Sequence, residues 1–321
     1  IHKPPAPELV MAIGICPLVD YAFKMLLGDE LYIHILIHFL NTMLVGQPKI
    51  VSARILNPAQ LKQTADDKLS ILDILAVDEL GRRLLIEMQT SLPAGMAQRL
   101  TYCVSVSYAG QLREGEDYVL LRPSISICVL ADAMFSQPPA LHLDFRLREK
   151  SSSLTLTDDL QIHLLQLKYL QVTADTVYNA PLNQKWAWFL RNVHTLELED
   201  VPRLLPEPVF HEAAKVLAMI AQTPEQLILY QARLKAQRDE SGRILQAKLD
   251  AEQAEARGEA RGEARGEARG EARGILIGQI GLLQKLLKEP VFSDREFAAC
   301  DDALLRKISD ELQSRMTSGT R

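Results

Sequence analysis

The chain has 321 residues, 47% hydrophobic and 24% charged, with 36 basic and 41 acidic side chains and a net charge of −5. Its isoelectric point is near 5.9. That balance supports a sizeable core and excludes a globally positive field for nucleic acid, so any DNA contact needs a local basic face.

Residues 1–16 carry Pro4, Pro5 and Pro7 and read as a loose lead-in. From Asp20 to Met43, apolar residues such as Phe23, Leu26, Leu27, Leu31, Ile35 and Phe39 recur at threes and fours, a helical spacing that Gly28-Asp29 splits in two. Within it, Leu31–Leu40 is too short to span a membrane, and no basic n-region or cleavage site marks a leader. Cys16, Cys103, Cys128 and Cys300 show no metal-ligand spacing, which suits free thiols in a reducing compartment. The expectation is a cytoplasmic protein with no membrane partner.

Ile50–Leu56 predicts a strand stopped by Asn57-Pro58. Lys68–Thr90 reads as a hairpin, two apolar runs around a polar turn with Asp78, Glu79 and Gly81. A turn at Leu92–Gly95 and a helix over Met96–Leu112 follow, the latter bearing Arg99, Tyr102, Tyr108 and Gln111. After a loop at Gly115–Tyr118, strands are predicted over Ser124–Ala131, Leu141–Arg148 and Asp159–Leu167. The α-β-β-β-α-β order implies an α/β fold, a mixed sheet flanked by helices.

Past Asn183 the pattern is helical, with Trp186 and Trp188 as core anchors and helices over Pro208–Ala221 and Gln226–Leu249. Histidines such as His194 and His211 are scattered, with no pair at ligand spacing. Glu255–Gly274 is five copies of Glu-Ala-Arg-Gly. In a helix this sets like charges at i,i+4 and a glycine every fourth residue, so the balance favours a solvated linker. The alternative is a weak helix whose basic face receives the acidic face of a second copy. Helices over Ile275–Leu287 and Asp301–Met316 then form a small C-terminal module, a candidate for homo-oligomerisation. The expected divisions are 1–16, a core at 17–180, a helical extension at 181–250, the repeat at 251–274 and the module at 275–321.

The chemistry concentrates in the hairpin. A turn centred on Leu80 sets Asp73 directly across from Glu87, with Cβ atoms roughly 4.5–5.5 Å apart. Gln89 projects from the same face. Ile71, Leu72, Ile74, Leu75, Leu84, Leu85, Ile86 and Met88 leave neither face polar, and strands of that kind are covered on both sides. Facing carboxylates there repel and lose solvation, so they call for a hard divalent cation such as Mg²⁺. In a half-exposed hairpin the same acids would simply face water.

Asp20-Tyr-Ala-Phe23-Lys24, Phe39-Leu-Asn41, Leu72-Asp73-Ile74, Asp78–Gly81 and Ile86-Glu87-Met88-Gln89 form an ordered set. Arg99 with Tyr102, the run Gln111–Tyr118 and Asp158-Asp-Leu-Gln-Ile162-His163 extend it. Together they resemble the recombination-promoting nuclease and putative transposase family of the PD-(D/E)XK (restriction-endonuclease-like) superfamily, over about residues 17–250. The resemblance implies a bacterial, Mg²⁺-dependent DNA endonuclease, with Mn²⁺ as a substitute, tied to recombination or mobile elements. Asp73, Glu87 and the main-chain carbonyl of Met88 would be metal ligands. Gln89 stands where much of the superfamily has lysine and can orient water or phosphate but adds no charge. Lys24, Lys68 or Arg99 would supply that charge, unless Arg99 only pairs with a surface acid. Asp20 would reach the metal through water, or else cap its helix. The rival reading is a catalytically silent DNA-binding or assembly protein that keeps the fold.

Overall fold

A computed structural model describes residues 12–56 and 73–318. Lys68, Ile71, Leu72, the Asn57-Pro58 stop and the Pro-rich start lie outside these residues. The chain divides into two compact units, one up to Ile244 and one from Leu245 onward.

In the first unit, strands β1 (Ala53–Leu56), β2 (Ile74–Asp78), β3 (Arg83–Gln89), β4 (Ser124–Leu130), β5 (His142–Arg148) and β6 (Thr155–Gln166) form one mixed sheet in the order β1-β2-β3-β4-β6-β5. The β3–β4 and β4–β6 pairs are parallel and the others antiparallel. Parallel neighbours need a crossover, and α3 (Met96–Ala109) supplies it between β3 and β4. The helix stops at Gly110, short of the Leu112 end expected from spacing.

Alternation along the buried strands feeds two cores. Leu84, Ile86 and Met88 of β3, with their β4 partners Ile125, Ile127 and Val129, face the larger one. Helices α1 (Asp20–Leu27), α2 (Ile33–Met43), α4 (Leu182–Asn192), α5 (Val201–Leu204) and α6 (Pro208–Gln222) contribute to the same cluster. Trp186 sits within it, its ring centroid 5.5, 5.6 and 4.9 Å from those of Phe39, Phe189 and Phe210. Its indole N–H donates to His38 Nδ1 at 3.0 Å, the polar partner a buried tryptophan requires. Residues between Trp186 and Tyr230 therefore contribute to the sheet's own core.

The lead-in is also tied down where it is described. Ile13 and Ile15 are buried, and the amides of Ile13 and Gly14 donate to the carbonyls of Leu196 and His194. At the end of α1, a Cβ on Gly28 would lie 2.8 Å from the Lys24 carbonyl oxygen and 3.0 Å from Ile74 Cγ1. Only glycine lets that helix end press against β2, and this approach brings α1 to the hairpin.

Helix α7 runs unbroken from Pro224 to Leu286. The repeat is therefore helical, against the balance that favoured a linker. Three of its four residue types are good helix formers, and helix on both sides removes the nucleation cost that makes isolated segments weak. Its last turns are also held from outside, in the second unit. Arg269 and Arg273 pair with Asp302 at 2.8 and 2.9 Å. Arg273 also donates to the carbonyls of Phe297 and Cys300, at the end of α8 (Asp294–Ala299). The last carbonyls of a helix lack their i+4 donors, and Arg273 supplies one to each of these. Ile280, Phe297, Leu305 and Leu312 form the small core beneath, shared by α7, α8 and α9 (Asp302–Ser318).

Arg273→Ala is expected to weaken this unit by about 1–3 kcal/mol, because it removes the charged donor shared by the Phe297 and Cys300 carbonyls; Asp302 keeps Arg269. Hydrogen exchange should show faster exchange in α8 and α9 and unchanged protection in the sheet. Among the described residues, no helix is long and apolar enough to cross a membrane.

Candidate active site

The hairpin register follows from how its turn is held. Asp78 Oδ1 accepts from the amides of Leu80 and Arg82, and Gly81 adopts a φ of +79° that side chains resist. Arg82 Nε lies 2.6 Å from Asp78 Oδ2 in a buried ion pair, and its Nη2 donates to the Pro48 carbonyl. Glu79 accepts from the amides of Val51 and Ser52. The sequence marked Asp78 and Glu79 only as polar turn residues; here they lock the turn. The resulting ladder pairs Ile74 with Ile86 and Val77 with Arg83, the register of a turn centred on Leu80.

The ladder ends at Ile74, leaving Asp73 one residue beyond it. Asp73 reaches β3 by its side chain, its Oδ2 accepting from the Met88 amide at 2.9 Å. Glu87 lies on the face covered by α3, beside Cys128 in the parallel register. It is 1% exposed, and neither carboxylate oxygen has a hydrogen-bond partner among the described residues. The nearest cation is Arg99 of α3, its Nη2 3.8 Å from Glu87 Oε2. That is an ion pair at the edge of range and too long for a hydrogen bond. Arg99 thus pairs with a buried acid, where a purely structural role would put it on a surface one.

The electrostatics follow. Burial pushes the Glu87 carboxyl up to about 7, opposed by Arg99 and reinforced by Asp73. Burial also raises Asp73, against the Met88 amide and Lys24, which favour its charged form, while Asp20 adds to the rise. Cys128 is held well above the usual thiol range by burial, and then by the charges of Glu87 and Asp73. It remains a protonated thiol and no nucleophile.

Helix α1 supplies the other sequence candidates. Lys24 Nζ lies 2.7 Å from Asp20 Oδ1 and 3.4 Å from Asp73 Oδ1. Asp20 is the first helical residue; Val19 holds the cap position and no side chain caps the helix. The capping role weighed for Asp20 is thus overturned, and its carboxylate goes to Lys24. Gln89 is half-buried on the Glu87 face, and its side chain has no hydrogen-bond partner among the described residues. The Met88 side chain enters the larger core, so only its main chain is available here. Tyr108 donates to Asp159, and the Gln111 amide is tied to the main chain of Arg122; both are structural.

One pair escaped the sequence. The β5–β6 pairing brings His142 Nε2 within 3.1 Å of His163 Nδ1. Burial drops His163 to about 4 and lowers His142, so both are neutral at pH 7. A sequence signal existed only in the antiparallel register, which sets Asp144 opposite His163.

Among the described residues, no three His, Cys, Asp or Glu side chains gather in a way suited to a metal. The hairpin offers two carboxylates with main-chain and amide oxygens beside them. A buried carboxylate without a single hydrogen bond is costly unless a cation meets it, and its oxygens suit a hard ion.

A family model described as PD-(D/E)XK nuclease family transposase matches residues 17–247. Comparison with curated proteins and with solved structures found no match.

Proposed function

Because the chain belongs to the PD-(D/E)XK nuclease family transposases, we propose that it is a metal-dependent DNA endonuclease acting in recombination or on mobile elements. The observation that carries the metal dependence is Glu87, buried at 1% exposure with neither oxygen hydrogen-bonded among the described residues and Asp73 beside it. Asp73, Glu87 and the Met88 carbonyl would hold Mg²⁺, or Mn²⁺ in its place. Mg²⁺ is commonly bound by one or two carboxylates, with water and substrate phosphate completing its shell. When bound, the ion polarises the scissile phosphate and lowers the pKa of the attacking water.

The remaining roles fall to charge and positioning. Gln89 cannot neutralise charge developing on the phosphate, but it can hold water or a phosphate oxygen by hydrogen bonds. Lys24 and Arg99 stand on either side of the acid pair and supply the positive charge Gln89 lacks. Asp20 steadies Lys24 at 2.7 Å.

Plasmid nicking with Mg²⁺ and with Mn²⁺ tests this reading. The parent should cleave and Asp73→Ala should not. Cleavage that persists in the variant removes the site. No cleavage by either protein across metals favours a silent DNA-binding protein on the same fold.

A further inference from the structure

The repeat in α7 is the largest feature the hairpin chemistry leaves unused. Its residues from Ala251 to Ala272 are exposed all round. At about 100° per residue, the four residue types form four rows around the helix in the order Glu, Ala, Arg, Gly. Each charged row is therefore flanked by a row of alanines on one side and glycines on the other. Glu and Arg stand on opposite faces and cannot satisfy each other within the helix. Arg269 and Arg273 are engaged with Asp302, whereas Arg257, Arg261, Arg265 and the five glutamates have no ion pair among the described residues.

The pattern specifies what could cover it. Five Glu and five Arg cancel, so a nucleic acid would meet as much repulsion as attraction along the repeat. A surface with the same alternation, however, matches it row for row. Orientation then decides the sign. When two such helices meet through their glycine rows in parallel, the charged rows flank the contact as e and g positions do, and the Glu row of each lies on the Arg row of the other. Turned antiparallel, Glu faces Glu and Arg faces Arg. The glycine row is open in the single chain, since a Cβ on Gly258, Gly262 or Gly266 would meet nothing within 4 Å, and a row without side chains admits a close helix approach.

We propose that the repeat helix pairs in parallel with the same helix of a second copy of this chain, through Gly258, Gly262 and Gly266. Rows at i,i+4 interdigitate at a crossing angle of about −50°. Each row drifts about 40° per repeat, so roughly three repeats face the partner around the crossing. The unengaged stretch from Glu255 to Arg265 provides them. This pairing is independent of the nuclease reading.

Light scattering on the full chain tests it. The parent should run at twice its 36.0 kDa mass and shift toward the single-chain mass as salt screens the rows. Converting Arg257, Arg261 and Arg265 together to Glu should give a single-chain mass, as should converting Glu255, Glu259 and Glu263 together to Arg. An equimolar mixture of the two variants should recover the doubled mass. A parent at single-chain mass, a doubled mass in either variant alone, or a mixture that fails to pair overturns the proposal. Orientation is read from spin labels on Lys248→Cys in a Cys16→Ser, Cys300→Ser background. A label separation of about 20 Å supports parallel pairing, and one of about 40 Å overturns it.

Discussion

Glu87→Gln should abolish metal-dependent DNA cleavage while making the metal-free protein more stable. The amide keeps the shape of the side chain but removes a buried charge that has no hydrogen bond among the described residues. At about pH 8, where Glu87 is ionised, losing that buried charge, met only by Arg99 at 3.8 Å among the described residues, should raise stability by about 1–3 kcal/mol. Cleavage should fall by at least about a thousandfold, the kinetic equivalent of roughly 4 kcal/mol of transition-state stabilisation lost with the metal. Urea midpoints and plasmid nicking on the same preparations decide it. A variant no more stable than the parent would mean the carboxylate has a partner, and a variant that still cleaves would place the metal elsewhere. Such opposition between stability and activity is what a binding site built ahead of its ligand should show.

The second large effect is on pH. In the metal-free chain Glu87 is pushed from its ordinary value of 4.5 to about 7. Between those pH values the folded state binds a proton that the unfolded state has released, so the stability due to this group falls as pH rises. It is fully present below about 4.5, lost through about 7 and flat above. The shift corresponds to a loss on the order of 3 kcal/mol. Buried His163, lowered to about 4, contributes the opposite slope, since its folded form resists protonation as pH falls. The Glu87 contribution is therefore read as the difference between parent and Glu87→Gln in urea melts with chelator. That difference should widen with pH up to about 7, and added Mg²⁺ should reverse it in the parent by taking the proton's place. A pH-independent difference, or no stabilisation by Mg²⁺ or Mn²⁺, would count against a cation at this position.

How much of this was legible in the chain depends on range. The hairpin register could be read because it rests on a short polar turn between apolar runs, and Gly81 marks the residue that turn needs. The site residues on β3 follow from it by alternation. That Asp73 lies just past the ladder and grips the Met88 amide could not be read, because it depends on where backbone pairing gives out. Nor does local spacing show that Lys24 meets Asp73; that contact waits on Gly28 admitting α1 against β2. The packing of Trp186 could not be read for a similar reason, since nothing near it announces Phe39 or Phe210 as its neighbours. The propensity of the repeat as an isolated segment does not show its helix, because that helix continues on both sides and Arg273 ties its end to α8.

The lock on the hairpin turn bears on how this lineage can vary. Because strand faces alternate, gaining or losing one residue between Asp78 and Arg83 would exchange the two sides of β3 wholesale. Met88 would then stand among the acids, and the carboxylate of Glu87 would be driven into the tryptophan core. Relatives can therefore be expected to hold the length of this bend fixed, and to keep a glycine where Gly81 has its positive φ. Changes of length should collect instead in stretches that leave the phase of that strand untouched, such as the span joining α3 to β4.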